Sequence, residues 1–161
     1  MPQPKPAAAN ITVAIKLIRK GRHDDASNVV NTIIQQADTI LLSEYSQARA
    51  HFLKLLLTSL QPNIHLDQRK TIATAITNLI TAARSKRQDN STQRKKNVST
   101  MEGYARSVLD GTEWLPMDQA ERAEWVKEWA IKVEAGNAKV RDRKRKKCCG
   151  QSQRGWEAAI S

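Results

Sequence analysis

The stretch "SEYSQARAHFLKLLLTSLQP" (Ser43 to Pro62) contains the most apolar run of the sequence, and its pattern indicates the fold class. Ser43 is a favourable N-cap residue and Pro62 cannot continue a helix, so the stretch predicts one helix of about five turns. Lys54 and Thr58 interrupt the run, which stays well below the ~18 uninterrupted apolar residues of a membrane-spanning helix. The residues expected on its buried side are Tyr45, Ala48, Phe52, Leu56 and Leu60.

Three further amphipathic patterns lie on both sides of this stretch and, with it, predict a four-helix domain over residues 10–83. Asn10 is the expected N-cap of the first helix and Gly21 its end, the second is expected to reach Leu41, and Asp67 is the expected N-cap of the fourth. The short connections favour antiparallel neighbours. The expected buried positions are Ile11, Ala14, Ile15 and Ile18, then Ala26, Val29, Val30, Ile33, Ile34, Ala37, Ile40 and Leu41, then Ile72, Ile76, Leu79, Ile80 and Ala83.

The remainder of the chain differs in composition, because all four tryptophans follow residue 100. "STMEGYARSVLDG" predicts a short helix that buries Met101, Tyr104, Ala105 and Val108. "MDQAERAEWVKEWAIKVEAG" predicts another, with a capping-box-like pair at Asp118 and Glu121 and an end at Gly136. We therefore expect an all-α protein with a flexible N-terminus (1–9), the four-helix domain (10–83), a basic linker or frayed extension of the fourth helix (84–100), a smaller tryptophan-bearing helical region (101–136) and a basic, flexible tail (137–161).

The net charge of +11 is concentrated in two segments. "RSKRQDNSTQRKK" (residues 84–96) holds six basic residues and one acid, "KVRDRKRKK" (residues 139–147) holds seven and one, and the rest of the chain is balanced. Such blocks are typical of segments that contact a polyanion. The candidate nucleic-acid-binding residues are Arg84, Lys86, Arg87, Arg94, Lys95, Lys96, Lys139, Arg141, Arg143, Lys144, Arg145, Lys146 and Lys147.

These side chains predict binding to RNA or DNA through the phosphate backbone, because neutralising phosphates releases counterions without any reading of bases. The leading hypothesis is a non-enzymatic nucleic-acid-binding accessory or regulatory protein, of a kind suited to a virus or phage, in the cytoplasm or nucleus. The tryptophan helix or self-association is expected to add stability to the small four-helix domain, so a homo-oligomer is among the expectations.

Two alternative functions use the same basic run differently. In the first, "RKRKK" is a nuclear localisation signal, and Trp125 and Trp129 dock the chain on a protein partner. Packing on the core is the competing interpretation of these two tryptophans. In the second, Cys148 and Cys149 are acylated beside the polybasic segment and anchor the protein to a membrane surface.

No pattern in the sequence indicates catalysis or a metal centre. It contains no Gly-rich phosphate loop and no nucleophile elbow. The histidines are scattered, and the adjacent Cys148 and Cys149 lack the two-residue spacer with which two thiolates bind one zinc ion. We therefore expect no enzymatic activity, no metal and no cofactor.

Overall fold

The computed structural model describes residues 7–37, 39, 41–61, 65–116 and 118–133, with side chains from Ile11 onward. This part of the chain forms six α-helices and no strand, which confirms the predicted all-α class. The helices are α1 (Ala7–Arg19), α2 (His23–Gln35), α3 (Glu44–Thr58), α4 (Leu66–Ser85), α5 (Thr92–Asp110) and α6 (Gln119–Lys132).

Helix α3 is the central element and contacts all five other helices. The sequence predicts one buried side, but residues on the other sides of α3, such as Arg49, Leu53 and Leu57, are buried as well. The prediction of a one-sided amphipathic helix is therefore wrong for α3, since a helix that is apolar over most of its circumference is enclosed by its neighbours. The Ser43 hydroxyl accepts a hydrogen bond from the Ser46 amide at 3.2 Å and caps the helix as predicted.

One hydrophobic cluster contains residues of all six helices, from Ile11 and Ile15 of α1 to Val126 and Ala130 of α6. The two C-terminal helices therefore pack on the same core as the first four. Trp125 and Trp129 lie half-buried at its edge, with ring centres 5.5 Å and 5.1 Å from that of Tyr104. Edge-to-face and tilted ring contacts of this kind add to the energy of area burial.

Several helix ends differ from the sequence-based prediction. Helix α1 begins at Ala7 rather than after Asn10, and α6 ends at Lys132, before the predicted stop at Gly136, which lies outside the described residues. Helix α2 ends at Gln35, and Leu41 is 89% exposed with a φ of 52°, because the chain must turn there to enter α3. Asp67 lies in the first turn of α4 instead of capping it. Its negative charge at that position still interacts favourably with the helix dipole.

The segment predicted as a basic linker, residues 84–100, is largely helical. Helix α4 continues to Ser85, and α5 begins at Thr92 after Ser91, whose hydroxyl accepts from the Arg94 amide at 3.1 Å. Asn97 and Val98 are both buried. The linker assignment is corrected on this point: one buried polar residue and one buried valine produce no apolar period that a sequence pattern can show.

A buried ionic network joins the middle of the chain to the connection between α5 and α6. Arg69 is 1% exposed and forms a bidentate ion pair with the Glu113 carboxylate. It also donates to the Tyr104 hydroxyl at 2.8 Å and to the Thr58 hydroxyl at 3.1 Å. Burial opposes the charged form of Arg69, but Glu113 and Tyr104 outweigh it, so the pKa of Arg69 is raised.

Tyr104 completes this network by donating its hydroxyl proton to Glu113. Burial, the largest cause, and the neighbouring Glu113 carboxylate raise the pKa of the Tyr104 hydroxyl far above its usual range, although the charge of Arg69 acts in the opposite direction. The hydroxyl therefore stays protonated and acts as a donor at any physiological pH. Each buried polar group in this network has a partner, which is the condition under which a buried ion pair is tolerated.

Replacement of Arg69 by Met is expected to destabilise the protein by about 3–5 kcal/mol, because the Glu113 charge then stays buried without its cation. The double variant Arg69→Met with Glu113→Gln is expected to recover a large part of this loss, since the uncompensated charge is gone. Urea unfolding followed by circular dichroism measures both. Equal stability of the wild type and Arg69→Met would contradict the role of this ion pair.

The stability of the fold is expected to fall as the pH drops below about 6.5. Burial, the main cause, lowers the pKa of His51 in α3 from 6.5, and Lys54 acts in the same direction against a hydrogen bond to the Gln47 carbonyl. The unfolded chain takes up this proton at about 6.5 and the folded chain only at lower pH, so the free energy of unfolding decreases between those values. In His51→Gln the decrease between pH 7 and pH 5 is expected to be smaller, as measured by urea unfolding; an unchanged pH dependence would exclude His51 as its source.

Candidate nucleic-acid interface

The basic run at residues 84–96 lies at one end of the helical bundle. Helices α4 and α5 pack against each other, and only the six residues 86–91 separate them. The end of α4 and the start of α5 are therefore neighbours. Arg84, Lys86 and Arg87 belong to the first of these ends, and Arg94, Lys95 and Lys96 to the second.

Three of these six predicted residues have partners within the protein. The Arg84 guanidinium lies 2.9 Å from the Glu102 carboxylate, and the hydrogen bond between them raises the pKa of Arg84 and lowers that of Glu102. Lys86 forms an ion pair with Glu44. Arg94 donates to the Gln88 carbonyl at 2.9 Å, and its guanidinium lies 4.6 Å from the centre of the Tyr45 ring. These contacts hold the connection in place and occupy part of the predicted surface.

The other three, Arg87, Lys95 and Lys96, are exposed. Among the described residues, none of them has a carboxylate within 4 Å. Lys95 and Lys96 lie near the start of α5, whose first turn contains no acid. Because the N-terminal end of a helix carries partial positive charge, these cations are placed where an added anion is electrostatically favoured.

The Gln88 side chain fixes the connection to the start of α3. Its carbonyl oxygen accepts from the Tyr45 amide at 2.9 Å, and its amide nitrogen donates to the Glu44 carboxylate at 2.8 Å. The Tyr45 backbone N–H, in the first turn of α3, has no acceptor within its own helix, and Gln88 supplies one from another element. This contact places the cationic turn beside α3 rather than leaving it as an open loop.

The end of α6 lies at the same end of the bundle. The Val133 carbonyl accepts from the Asn97 amide nitrogen at 3.3 Å and from the Arg49 guanidinium at 3.2 Å. Asn97 also donates to the Tyr45 hydroxyl at 2.8 Å. Since Asn97 directly follows Lys96, the last described residue of the chain is next to the first basic run.

The second basic run, Lys139–Lys147, lies outside the described residues, and so do Cys148 and Cys149. Lys139 is six residues beyond Val133, and six residues of chain span at most about 20 Å. The covalent connection alone therefore keeps the start of the second run within about 20 Å of the place where α6 meets the first run.

The described residues contain no group of three or more His, Cys, Asp or Glu side chains placed to hold a metal ion. In the same part of the chain, no helix has the length and apolar character needed to cross a membrane. Trp125 and Trp129, proposed from sequence as partner-binding residues, contribute to the core and also line surface grooves beside Trp114.

The sequence pattern did not reveal the polar residues that hold this end of the bundle together. Gln88 and Asn97 occur in a segment rich in polar residues, where nothing distinguishes a buried amide from an exposed one. The only signal was indirect: a run of polar residues in an otherwise well-patterned chain.

Comparison of the chain with models of protein families, with curated proteins and with solved structures found no match.

The ion pair between Lys86 and Glu44 makes a direct titration test possible. The hydrogen bonds donated by Lys86 and then Gln88 lower the pKa of Glu44 to about 2. Lys86→Met is expected to raise the pKa of Glu44 towards its ordinary value of 4.5, because the largest cause of the shift is removed. A pH titration of the side-chain carboxyl carbons by NMR measures this change.

The matched control for this titration is Arg84→Met. It should raise the pKa of Glu102 and leave that of Glu44 where it is, since Arg84 pairs with Glu102 and Lys86 pairs with Glu44. A Glu44 carboxyl that titrates at its ordinary value in the wild type would show that the Lys86 contact does not persist in solution.

Proposed function

We propose that this protein is a non-enzymatic nucleic-acid-binding protein of an accessory or regulatory kind. It contacts the phosphate backbone of RNA or DNA with the basic end of the bundle, defined by Arg87, Lys95 and Lys96, and with the run Lys139–Lys147. The observation that carries the proposal is the position of Val133 beside Asn97, because it puts the last described residue, six positions before Lys139 in the sequence, next to the first basic run.

The convergence supports binding to a polyanion because affinity for phosphates grows with the number of cations that engage at once. The two runs are separated in sequence by more than a helix and a connection, yet the chain reaches the first run again at Val133, six residues before the second run begins. A polyanion that spans this end can meet both. Since phosphates are common to RNA and DNA, contacts of this kind carry no base sequence.

The exposed cations of the first run give a second argument. Within the described ranges, Arg87, Lys95 and Lys96 have no acidic partner, two of them lie near the positive end of a helix, and their like charges repel one another. Stability alone would favour an acid near the start of α5, as is found at Glu121 in α6. A bound phosphate group would offset this repulsion among the cations. An uncompensated cluster of this kind is therefore expected on a surface that binds an anion.

The salt dependence of binding tests the proposal. The triple variant Arg87→Gln, Lys95→Gln, Lys96→Gln is expected to bind a nucleic acid more weakly, irrespective of base sequence. It should also reduce the slope of log affinity against log salt by roughly 2–3, at about 0.7–0.9 per lost phosphate contact. Replacement of Arg143, Lys144, Arg145, Lys146 and Lys147 by Ala is expected to reduce the slope by roughly 3–5. Fluorescence anisotropy with a labelled single strand and a labelled duplex measures both.

The matched control removes the same charge from another part of the surface. Three exposed lysines serve this purpose: Lys16 in the last turn of α1, Lys20 directly after that helix, and Lys70 near the start of α4. These lysines lie at the end of the bundle opposite to the basic end. The evidence is one cavity lined by His23, Leu60 and Gln119, which brings the start of α2 next to the end of α3 and the start of α6. Lys16→Gln, Lys20→Gln, Lys70→Gln should bind nearly as the wild type does. If both triple variants lose the same affinity, only net charge matters and the proposed interface is wrong.

A further inference from the structure

Trp114 is an exposed aromatic side chain on a connection that is fixed from both sides. The side chain is 69% exposed, although it lies between α5 and α6, both of which pack on the core. The preceding residue, Glu113, is held by Arg69 and Tyr104, and the buried Pro116 offers its carbonyl to the Arg122 guanidinium. Trp114 is therefore held outward by its surroundings and is not the tip of a loose loop.

Trp114 separates two surface grooves. A cavity of about 290 Å³ on one side is lined by Tyr104, Ser107 and Trp129, and a cavity of about 440 Å³ on the other is lined by Pro116 and Ala120. Trp114 and Trp125 line both. A large apolar side chain that is preordered and borders two grooves is the type of residue that dominates binding energy at protein interfaces.

The charge of the larger groove is opposite to that of the chain as a whole. Glu121, Glu124 and Glu128 line it, and none of its lining residues in the described part of the chain is Lys or Arg. Glu124 pairs with Lys127 at 3.1 Å, whereas among the described residues Glu121 and Glu128 have no basic group within 4 Å. Three carboxylates along one groove repel a phosphate group and attract a cationic side chain.

The aromatic rings favour the same kind of ligand. Indole is the best of the side-chain rings for binding a cation over its face. On the same helix, the Lys132 ammonium already lies 4.1 Å from the centre of the Trp129 ring. A guanidinium or ammonium group in the larger groove would lie among two indole side chains and three carboxylates.

We propose that the groove formed by Trp114, Trp125, Glu121 and Glu128 binds a short basic segment of a partner protein, in which an arginine or lysine stands next to an apolar side chain. The apolar side chain packs against Trp114, and the cation pairs with Glu121 or Glu128. This surface is separate from the basic end of the bundle, so the proposal does not depend on nucleic-acid binding.

Selection of short random peptides displayed on phage, with the full chain as target, tests the proposal. The enriched sequences are expected to combine Arg or Lys with a neighbouring Leu, Met, Phe or Trp. The best synthetic peptide should lose about tenfold or more in affinity for Trp114→Ala, measured by fluorescence anisotropy. Glu121→Gln with Glu128→Gln should weaken binding and reduce its salt dependence, because the screened charges are removed.

Two control variants remove similar groups elsewhere. Leu66→Ala removes another exposed apolar side chain, 52% exposed at the start of α4, and Asp110→Asn removes an exposed acid at the end of α5. Both should bind the peptide as the wild type does. Urea unfolding should be unchanged in Trp114→Ala, because little of that side chain is buried.

Three results would overturn the proposal. The first is the absence of enrichment, or enrichment of peptides without cations. The second is equal affinity of the peptide for the wild type and Trp114→Ala. The third is dimerisation of the wild type, seen in sedimentation equilibrium and abolished by Trp114→Ala, which would make a second copy of this chain the occupant of the groove.

Discussion

The buried ion pair between Arg69 and Glu113 is the contact on which the arrangement of the C-terminal helices depends. Arg69 belongs to α4, Glu113 follows α5, and the hydroxyls of Tyr104 and Thr58 add α5 and the end of α3. A charge buried in this way is unfavourable unless every hydrogen-bonding position has a partner, so the network tolerates only one mutual placement of these elements. The direction in which the chain leaves α5 towards α6 follows from that placement.

A second polar network at the opposite end of α3 complements the first. The Tyr45 amide is bonded to Gln88, the Tyr45 hydroxyl accepts from Asn97, and Asn97 donates to the Val133 carbonyl at the end of α6. Helix α3 takes part in polar contacts at both ends, and between them it packs Phe52, Leu53 and Leu56 into the core. The two networks consequently fix both ends of the bundle, and the aliphatic core between them supplies the nondirectional part of the stability.

The sequence was sufficient to predict the all-α class and most of the buried apolar positions, because each of these rests on local periodicity. The apolar residues that are buried as predicted include Ile11, Ile15 and Ile18 in α1 and Met101, Tyr104 and Val108 in α5. The start of α5 was missed because Asn97 is buried for its hydrogen bonds and not for its hydrophobicity. The burial of Arg69 was missed for the same reason, since a charged residue within a helix pattern is normally on the exposed face.

The candidate site could be predicted only in part. Local charge density identified the six basic residues at 84–96, but which of them have partners depends on contacts with distant residues. Glu44 is more than forty positions from Lys86, and Glu102 is a helix away from Arg84. The exposure of Trp114 was equally inaccessible, because it follows from the burial of its neighbour Glu113. A pattern of residue types records periodicity along the chain but not the pairing of elements.

The two proposed surfaces have opposite charge, and the length of α6 determines how far each influences the other. Along the helix axis, Glu121 lies about 18 Å from Val133, which adjoins the basic end, and Glu128 lies about 8 Å from it, at 1.5 Å per residue. The Debye length is about 8 Å at physiological ionic strength. Glu121 is therefore largely screened from a nucleic acid at the basic end, whereas Glu128 is close enough to repel it. A cationic segment that neutralises Glu128 removes that repulsion, so the two ligands would favour each other's binding, most strongly at low salt.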